Sequence, residues 1–131
     1  MSKPVILCVD DEIVVLDSLK TQLKKSFGDC YLYEIAESAD EAIEIIDELE
    51  EEGTPILMIV SDWLMPGIKG DEFLIQVHQK FPKIVKVMLT GQADGDAIER
   101  ARKQANLHCC LLKPWNSKEL IETIKSGLIR S

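Results

Sequence analysis

Basic side chains are scarce in this sequence. Its 131 residues include 15 lysines and arginines against 23 aspartates and glutamates, so the formal net charge is −8 at pH 7. A surface with this excess of negative charge repels phosphate groups, which argues against broad contact with nucleic acid or with an anionic membrane. The same excess is compatible with a site that binds cations.

Zinc-binding patterns of cysteine and histidine are missing. The four cysteines are Cys8, Cys30, Cys109 and Cys110. No two of them form a Cys-x-x-Cys pair, and the only two histidines lack ligand spacing relative to them, so a zinc site is not expected. Three of the four fall in apolar, strand-like runs, and we therefore expect buried thiols in a reducing cytoplasm.

Long apolar runs, linkers and repeats are absent as well. No run approaches the length of a membrane-spanning helix, and the first residues do not resemble a signal peptide. The length predicts a single domain over residues 1–131. The cysteine usage described above leads us to expect this domain in the cytoplasm. A chain of this size buries well over half of its unfolded surface when it folds, so it needs no disulfide or metal for stability.

Apolar strands and amphipathic helices alternate five times along the chain. The strands are expected at residues 5–9, 31–36, 56–60, 84–89 and 108–112. The helices between them carry apolar stripes at helical spacing. This alternation, with short connections, predicts a parallel sheet covered by helices on both faces. The simplest arrangement is the flavodoxin-like (βα)5 three-layer sandwich with strand order 2-1-3-4-5.

Three helices give specific local predictions. Ser38 is predicted to cap the second helix, with Glu41 completing a capping box. Asn116 or Ser117 is predicted to cap the last helix. The fourth helix, from about Asp94 to Gln104, has the thinnest apolar stripe, so we expect it to be the least firmly docked.

Polar side chains follow four of the five predicted strands. Asp10 and Asp11 follow the first strand, Asp62 the third, Thr90 the fourth and Lys113 the fifth. Because parallel strands end at the same edge of a sheet, we expect these side chains to meet there. Three carboxylates at one place repel one another unless a cation compensates, and hard oxygen ligands of this kind suit Mg2+.

This set of groups fits phosphoryl transfer to a carboxylate. An aspartate can act as the nucleophile and form an acyl phosphate, while a cation, an ammonium and a hydroxyl stabilise the phosphoryl oxygens. Each residue alone is a weak signal, because Asp62 could merely begin a turn and Asp11 could cap a helix. Their joint placement at strand ends favours a common site over unrelated polar residues.

At these motifs the sequence resembles the receiver domain of bacterial two-component response regulators, the CheY-like family. The matching segments are Val9–Glu12, Ser61–Gly67 with Gly70, Leu89–Gly91 and Lys113–Pro114. The resemblance covers nearly the whole chain. It implies that Asp62 accepts a phosphoryl group from a phosphohistidine on a sensor histidine kinase or phosphotransfer protein.

The resemblance also implies a Mg2+ site. Asp11, Asp62 and the backbone carbonyl of Leu64 would hold the ion, and Asp10 would bind it directly or through water. Mg2+ is the only cofactor that the resemblance implies.

Two further residues take roles from the resemblance. Lys113 would pair with Asp62 and then with the phosphate, and Thr90 would move to bond a phosphoryl oxygen and carry the signal. The Lys113–Pro114 bond would be cis, which costs only about 0.5–1 kcal/mol for an X-Pro bond.

The implied function is a switch that controls an output domain in the same or another chain. The chain would not be an enzyme beyond its own Mg2+-dependent phosphorylation and dephosphorylation. No direct contact of this domain with nucleic acid or membrane is expected. The family suggests a homodimer through the fourth helix, the fifth strand and the fifth helix.

Two positions modify this expectation. Many receivers carry Tyr or Phe three residues before the lysine, where this chain has Cys110. A cysteine cannot make the swing of an aromatic ring, so we hypothesise that the fourth helix and its flanking loop shift instead. The segment Lys-Pro-Trp-Asn, which contains Trp115, resembles that of receivers fused to signalling enzymes such as cyclic-di-nucleotide phosphodiesterases or nucleotide cyclases. Packing of Trp115 beside the last helix explains this residue equally well.

Three alternative functions compete with the phosphoacceptor. A metal-dependent phosphohydrolase would need an Asp-x-Asp pattern and a cap domain, whereas this chain has Asp10-Asp11-Glu12. A flavodoxin would need a Ser/Thr/Gly-rich loop after the first strand, and the acidic loop here repels phosphate. A receiver-like interaction scaffold that is never phosphorylated would lack a site residue, and none is missing.

Overall fold

The computed structural model describes residues 3–91 and 95–130 as strands alternating with helices. The strands are β1 (Val5–Val9), β2 (Leu32–Ala36), β3 (Ile56–Asp62), β4 (Val85–Thr90) and β5 (Cys109–Leu112). The helices are α1 (Ile13–Phe27), α2 (Ala39–Glu52), α3 (Gly70–Lys80), α4 (Gly95–Gln104) and α5 (Ser117–Arg130), with a 3-10 turn at Gly28–Cys30. The predicted start of α4 at Asp94 lies outside the described residues. Within the described ranges, no helix is both long and apolar enough to cross a membrane.

The strands form one parallel sheet in the order β2-β1-β3-β4-β5, which confirms the predicted fold. The register aligns Val9 of β1 with Ser61 of β3, and Thr90 of β4 with Leu112 of β5. The strand ends are therefore nearly level at the carboxyl edge. Because β1 and β3 are neighbours, the residues that follow Val9 and Ser61 lie side by side.

Each face of the sheet is covered by its own group of helices. One core contains buried side chains of α2, α3 and α4, and the other contains those of α1 and α5. All five residues of β1 are fully buried, as expected for a strand with helices on both sides. α4 buries the small side chains of Ala97 and Ala101 and packs Ile98 partly against the core, so its apolar contact with the core is limited.

Two helix caps follow the local sequence. The hydroxyl Oγ of Ser38 accepts a hydrogen bond from the Glu41 amide at 3.1 Å, which confirms the predicted cap. The Glu41 carboxylate accepts from the amide of Glu37 at 3.4 Å, one residue earlier than in a standard capping box. Asn116 caps α5, rather than Ser117, because its Oδ1 accepts from two backbone amides at 2.8 and 3.3 Å.

The cysteines are less uniformly buried than predicted. Cys8 is fully buried, and burial raises the pKa of its thiol to about 12. Cys109 and Cys110 are partly exposed because they lie on an edge strand. Cys30, the one cysteine outside the predicted strands, lies exposed in the 3-10 turn. All four thiols are free.

Lys86 is a lysine buried in the sheet. Its side chain extends from β4 toward the end of α3, and only 1% of the residue is exposed. Its Nζ lies 2.7 Å from His78 Nδ1 and donates to the Pro82 carbonyl at 3.3 Å. Both partners are neutral acceptors, and burial lowers the pKa of Lys86 to about 8. The fold therefore carries an ammonium whose desolvation these contacts compensate only in part.

Lys86→Met tests this cost through its pH dependence. The folded-state pKa of Lys86, about 8, is below the ordinary value of 10.5, so the unfolded chain holds more protons between these pH values. Wild-type stability therefore rises with pH in that window, and the variant lacks this rise. We expect the variant's advantage in free energy of unfolding to be on the order of 2–3 kcal/mol larger at pH 7 than at pH 10, measured by urea denaturation.

The matched control is Lys83→Met, which removes an exposed lysine close by in sequence. Its stability relative to wild type should change little between pH 7 and pH 10. Equal pH dependence in the two variants would contradict the account of Lys86.

Candidate functional site

Four strands deliver polar side chains to the carboxyl edge of the sheet. Asp10 directly follows β1, and its amide donates to the Ala36 carbonyl of β2 at 3.1 Å. Asp62 and Thr90 are the last residues of β3 and β4. Lys113 directly follows β5, and its amide donates to the Thr90 carbonyl at 2.8 Å. Backbone hydrogen bonds of the sheet thus fix where each of these side chains begins.

Three carboxylates meet at this edge. Asp10, Asp11 and Asp62 each offer an oxygen, and these oxygens all lie within 4.8 Å of one another. Asp10 and Asp62 are buried, whereas Asp11 is exposed. Burial raises the pKa of Asp62, and the negative charge of Asp10 raises it further, although Lys113 acts in the opposite direction. The cluster is therefore short of positive charge.

Lys113 supplies the ammonium of the cluster. Its Nζ donates to Asp10 Oδ2 at 2.8 Å and lies 3.2 Å from Asp62 Oδ1. Burial works to lower the pKa of Lys113, but its hydrogen bond to Asp10 and the charges of both acids outweigh this, so the pKa is raised. The contact with Asp62 was predicted, and the shorter contact with Asp10 was not.

The donor set fits a hard divalent cation. One ammonium faces three carboxylates, which leaves net negative charge in a partly desolvated site. Mg2+ takes oxygen ligands, typically one or two carboxylates together with waters, and the exposed side of Asp11 leaves room for those waters. The acids thus match the chemistry of the ion that the sequence implied.

The acids open into a cleft of about 520 Å³. Asp62, Thr90 and Lys113 line it together with Asp11 and Leu64. Leu64, whose carbonyl was a predicted metal ligand, lies in the turn after β3 and is 53% exposed. The structure thus brings all six predicted site residues to one place, with Asp10 buried beneath the acids that line the cleft.

The turn after β3 is held by backbone contacts that require a glycine. The amide of Trp63 donates to the Leu89 carbonyl at 2.9 Å, and the amide of Gly70 donates to the Trp63 carbonyl at 2.8 Å. A Cβ on Gly70 would lie 2.2 Å from the carbonyl oxygen of Asp62, closer than any side chain can approach. Gly70 therefore allows the start of α3 to pack directly against the end of β3.

Asp71 makes two side-chain contacts beside the cleft that were not predicted from the sequence. It lies in the first turn of α3 and is 2% exposed. Its Oδ1 accepts from Trp63 Nε1 at 3.2 Å, and its Oδ2 accepts from Arg100 Nη1 of α4 at 2.6 Å. The sequence held no usable signal for this contact, because an acid in the first turn of a helix is favourable in any protein.

The structure also shows where Trp115 and Cys110 lie. The indole of Trp115 packs against the core between α1 and α5, and its Nε1 donates to Gln22 Oε1 of α1 at 3.1 Å. Trp115 therefore packs against α1 as well as beside the last helix. Cys110 is partly buried against the core on the side of α4. The Lys113–Pro114 bond is cis, as the resemblance implied.

Comparison with known proteins agrees with this geometry. The family model of the response regulator receiver domain matches residues 6–125. Over 123 residues the chain is 32% identical to the hydrogenase transcriptional regulatory protein HoxA of Cupriavidus necator, covering 94% of this chain and 24% of HoxA. The chain thus spans about a quarter of the length of that relative.

Solved structures with the same fold include two receiver domains. A CheY-like response regulator receiver domain protein from Methanospirillum hungatei superposes with a TM-score of 0.84 at 31% identity, covering 98% of this chain and 95% of that one. The beryllofluoride-activated NtrC4 receiver domain dimer has a TM-score of 0.82 at 28% identity, covering 97% and 98%. With its acids, hydroxyl and lysine at one sheet edge, this chain belongs to the family of response regulator receiver domains.

Proposed function

We propose that this domain is a phosphoacceptor that receives a phosphoryl group on Asp62 in a Mg2+-dependent reaction. One observation carries the proposal. Asp62 opens into a cleft beside Thr90 and Lys113, and its carboxylate is within 4.8 Å of two other acids. A nucleophile, a cation site and two groups suited to phosphoryl oxygens thus occupy a single cleft.

In the proposed reaction, a carboxylate oxygen of Asp62 attacks phosphorus. The P–N bond of a phosphohistidine on the donor breaks as the new P–O bond forms, and its electron pair remains on the imidazole, which takes up a proton. Asp62 must be ionised, and Lys113 supports that form from 3.2 Å. Mg2+, held by Asp10, Asp11, Asp62 and the Leu64 carbonyl, would neutralise charge on the phosphoryl oxygens.

Lys113 and Thr90 then hold the product. Lys113 stays an ammonium because its contacts with the acids raise its pKa, so it presents a positive charge to the phosphoryl group. Thr90 is 1% exposed and lies at the wall of the cleft, from which its hydroxyl can donate to a phosphoryl oxygen. Movement of Thr90 toward that oxygen would be the first step of the switch.

The proposed partners follow from this chemistry. The donor is a sensor histidine kinase or phosphotransfer protein, and the product controls an output domain in the same or another chain. The domain acts as a signalling acceptor whose only chemistry is its own phosphorylation and dephosphorylation. We also propose a homodimer through α4, β5 and α5, a surface that includes Leu112 with 67% of the residue exposed.

Tryptophan fluorescence tests the proposal directly. Trp63 follows the nucleophile and lines the cleft, and Trp115→Phe leaves it as the sole tryptophan. We expect Mg2+ to quench its emission saturably, and beryllofluoride to cause a further change only when Mg2+ is present. The control is Asp62→Asn in the same background, which should lose the beryllofluoride response. No response of the parent protein to either ligand would favour the interaction scaffold.

A further inference from the structure

Asp71 links the wall of the cleft to α4. Trp63 lines the cleft beside Asp62, and its indole Nε1 donates to Asp71 Oδ1 at 3.2 Å. The other oxygen of the same carboxylate accepts from Arg100 Nη1 at 2.6 Å. Arg100 belongs to α4 and lies 29 residues further along the chain. One buried carboxylate therefore contacts both the phosphorylation cleft and a distant helix.

Because the Asp71 carboxylate is buried, its two contacts depend on each other. The Asp71 side chain is 2% exposed, whereas that of Arg100 is 46% exposed, so the guanidinium reaches inward from the surface to pair with it. A buried carboxylate is costly without its charge partner, and neighbouring hydrogen bonds in a low-dielectric site reinforce one another. A displacement of Arg100 should therefore change the hydrogen bond between Asp71 and the indole, and a displacement of the indole should change the ion pair.

We propose that Asp71 is a positioning residue that couples occupancy of the Asp62 cleft to the position of α4, through Trp63 on one side and Arg100 on the other. This inference rests on the proposed phosphoacceptor function. Thr90, which moves toward the phosphoryl oxygen in the proposed function, ends β4, and α4 is the next helix along the chain. α4 buries the small side chains of Ala97 and Ala101 and packs Ile98 partly against the core, so limited apolar contact opposes a shift of this helix. In this proposal the ion pair holds α4 in its position before phosphorylation, and the shift of α4 breaks it.

Thermodynamic linkage fixes whether loss of the ion pair should raise or lower the affinity of the cleft for a phosphoryl mimic. A contact made only in the unoccupied state opposes occupancy, so its removal should tighten binding at the cleft. We expect Arg100→Gln to raise the affinity for beryllofluoride, at saturating Mg2+, by roughly 3–10-fold. Asp71→Asn should give a similar increase, and the double variant should bind no more tightly than either single variant, because both remove the same ion pair.

A second readout separates positioning from a general loss of stability. The indole N–H proton resonance of Trp63, assigned by its loss in Trp63→Phe, reports the hydrogen bond to Asp71. We expect Arg100→Gln to shift this resonance, although Asp71 stands between Arg100 and the indole. The matched control is Arg102→Gln, which removes the same charge from an exposed position of α4 and should change neither the resonance nor the affinity.

The outcomes distinguish the two proposals. If the wild-type protein binds beryllofluoride and Arg100→Gln has the same affinity and the same indole resonance as Arg102→Gln, the coupling is overturned and the phosphoacceptor function still stands. Weaker binding by Arg100→Gln would overturn the proposed sign of the coupling, because the ion pair would then belong to the occupied state. Failure of the wild-type protein to bind beryllofluoride would overturn both. Arg100 is half exposed, so its variant remains informative even where Asp71→Asn does not fold.

Discussion

Lys113→Met is expected to slow phosphorylation of Asp62 by at least 100-fold while tightening the binding of Mg2+. The ammonium lies 2.8 Å from an oxygen of Asp10 and 3.2 Å from one of Asp62. It therefore competes with a divalent cation for the same negative charge, and its removal leaves the acids more attractive to the ion. Loss of one preorganised positive group that faces the reacting oxygens costs roughly 100- to 1000-fold in rate.

The two effects have opposite signs and are measured separately. Phosphorylation by acetyl phosphate is followed by mass spectrometry over time, and Mg2+ affinity by Trp63 fluorescence. Lys118→Met is the matched control, because it removes an exposed lysine at the start of α5. Unchanged phosphorylation in Lys113→Met would show that the ammonium takes no part in the reaction.

Mg2+ is expected to stabilise the folded wild-type domain, and Asp11→Asn should abolish most of that effect. A ligand at 100 times its dissociation constant raises the free energy of unfolding by about 2.7 kcal/mol. Mg2+ uses few protein carboxylates, so loss of one should weaken binding by roughly 25-fold or more. At the same Mg2+ concentration the stabilisation of the variant should then be below about 1 kcal/mol.

Without Mg2+ we expect Asp11→Asn to have a higher free energy of unfolding than wild type, because the substitution relieves repulsion among the three acids. Urea denaturation with and without Mg2+ gives both comparisons. Asp17→Asn, an exposed acid on α1, serves as the control and should be stabilised by Mg2+ as much as wild type. Equal stabilisation of the Asp11 and Asp17 variants would place the ion elsewhere.

The sequence was sufficient for the architecture and for the position of the site. Apolar strands with helices on both faces leave a strong signal, and the ends of parallel strands lie at one edge whatever the details of packing. The polar residues at the carboxyl ends of β1, β3, β4 and β5 were therefore predictable as neighbours. Ser38 was predictable as a cap, and Asn116 as one of two candidates with Ser117, because a cap depends on a few adjacent residues.

Contacts between distant side chains were not predictable in the same way. The pairing of Asp71 with Arg100 depends on how α3 and α4 approach each other, which apolar periodicity does not specify. The burial of Lys86 depends on the end of α3 covering β4, since a lone lysine in a strand is equally consistent with a solvated position.

The apolar contact of α4 with the core is limited, and this makes its ion pair with α3 important. Apart from Ile98, which is partly buried against the core, α4 buries only the small side chains of Ala97 and Ala101. It therefore gains little from the hydrophobic effect, and a polar contact contributes a larger share of what holds it in place. Arg100 provides such a contact on the side of α3. With Cys110 in the place of an aromatic ring, the expected route of the signal to α4 runs through the ion pair and not through a rotating side chain.

The most direct measurement is the intact mass of the protein after incubation with acetyl phosphate, with and without Mg2+. A single adduct of phosphate mass should form only with Mg2+, map to Asp62, be released by hydroxylamine as expected of an acyl phosphate, and be absent from Asp62→Asn. Absence of the adduct from the wild-type protein, or an identical adduct on Asp62→Asn, would contradict the assignment of Asp62 as the phosphoacceptor.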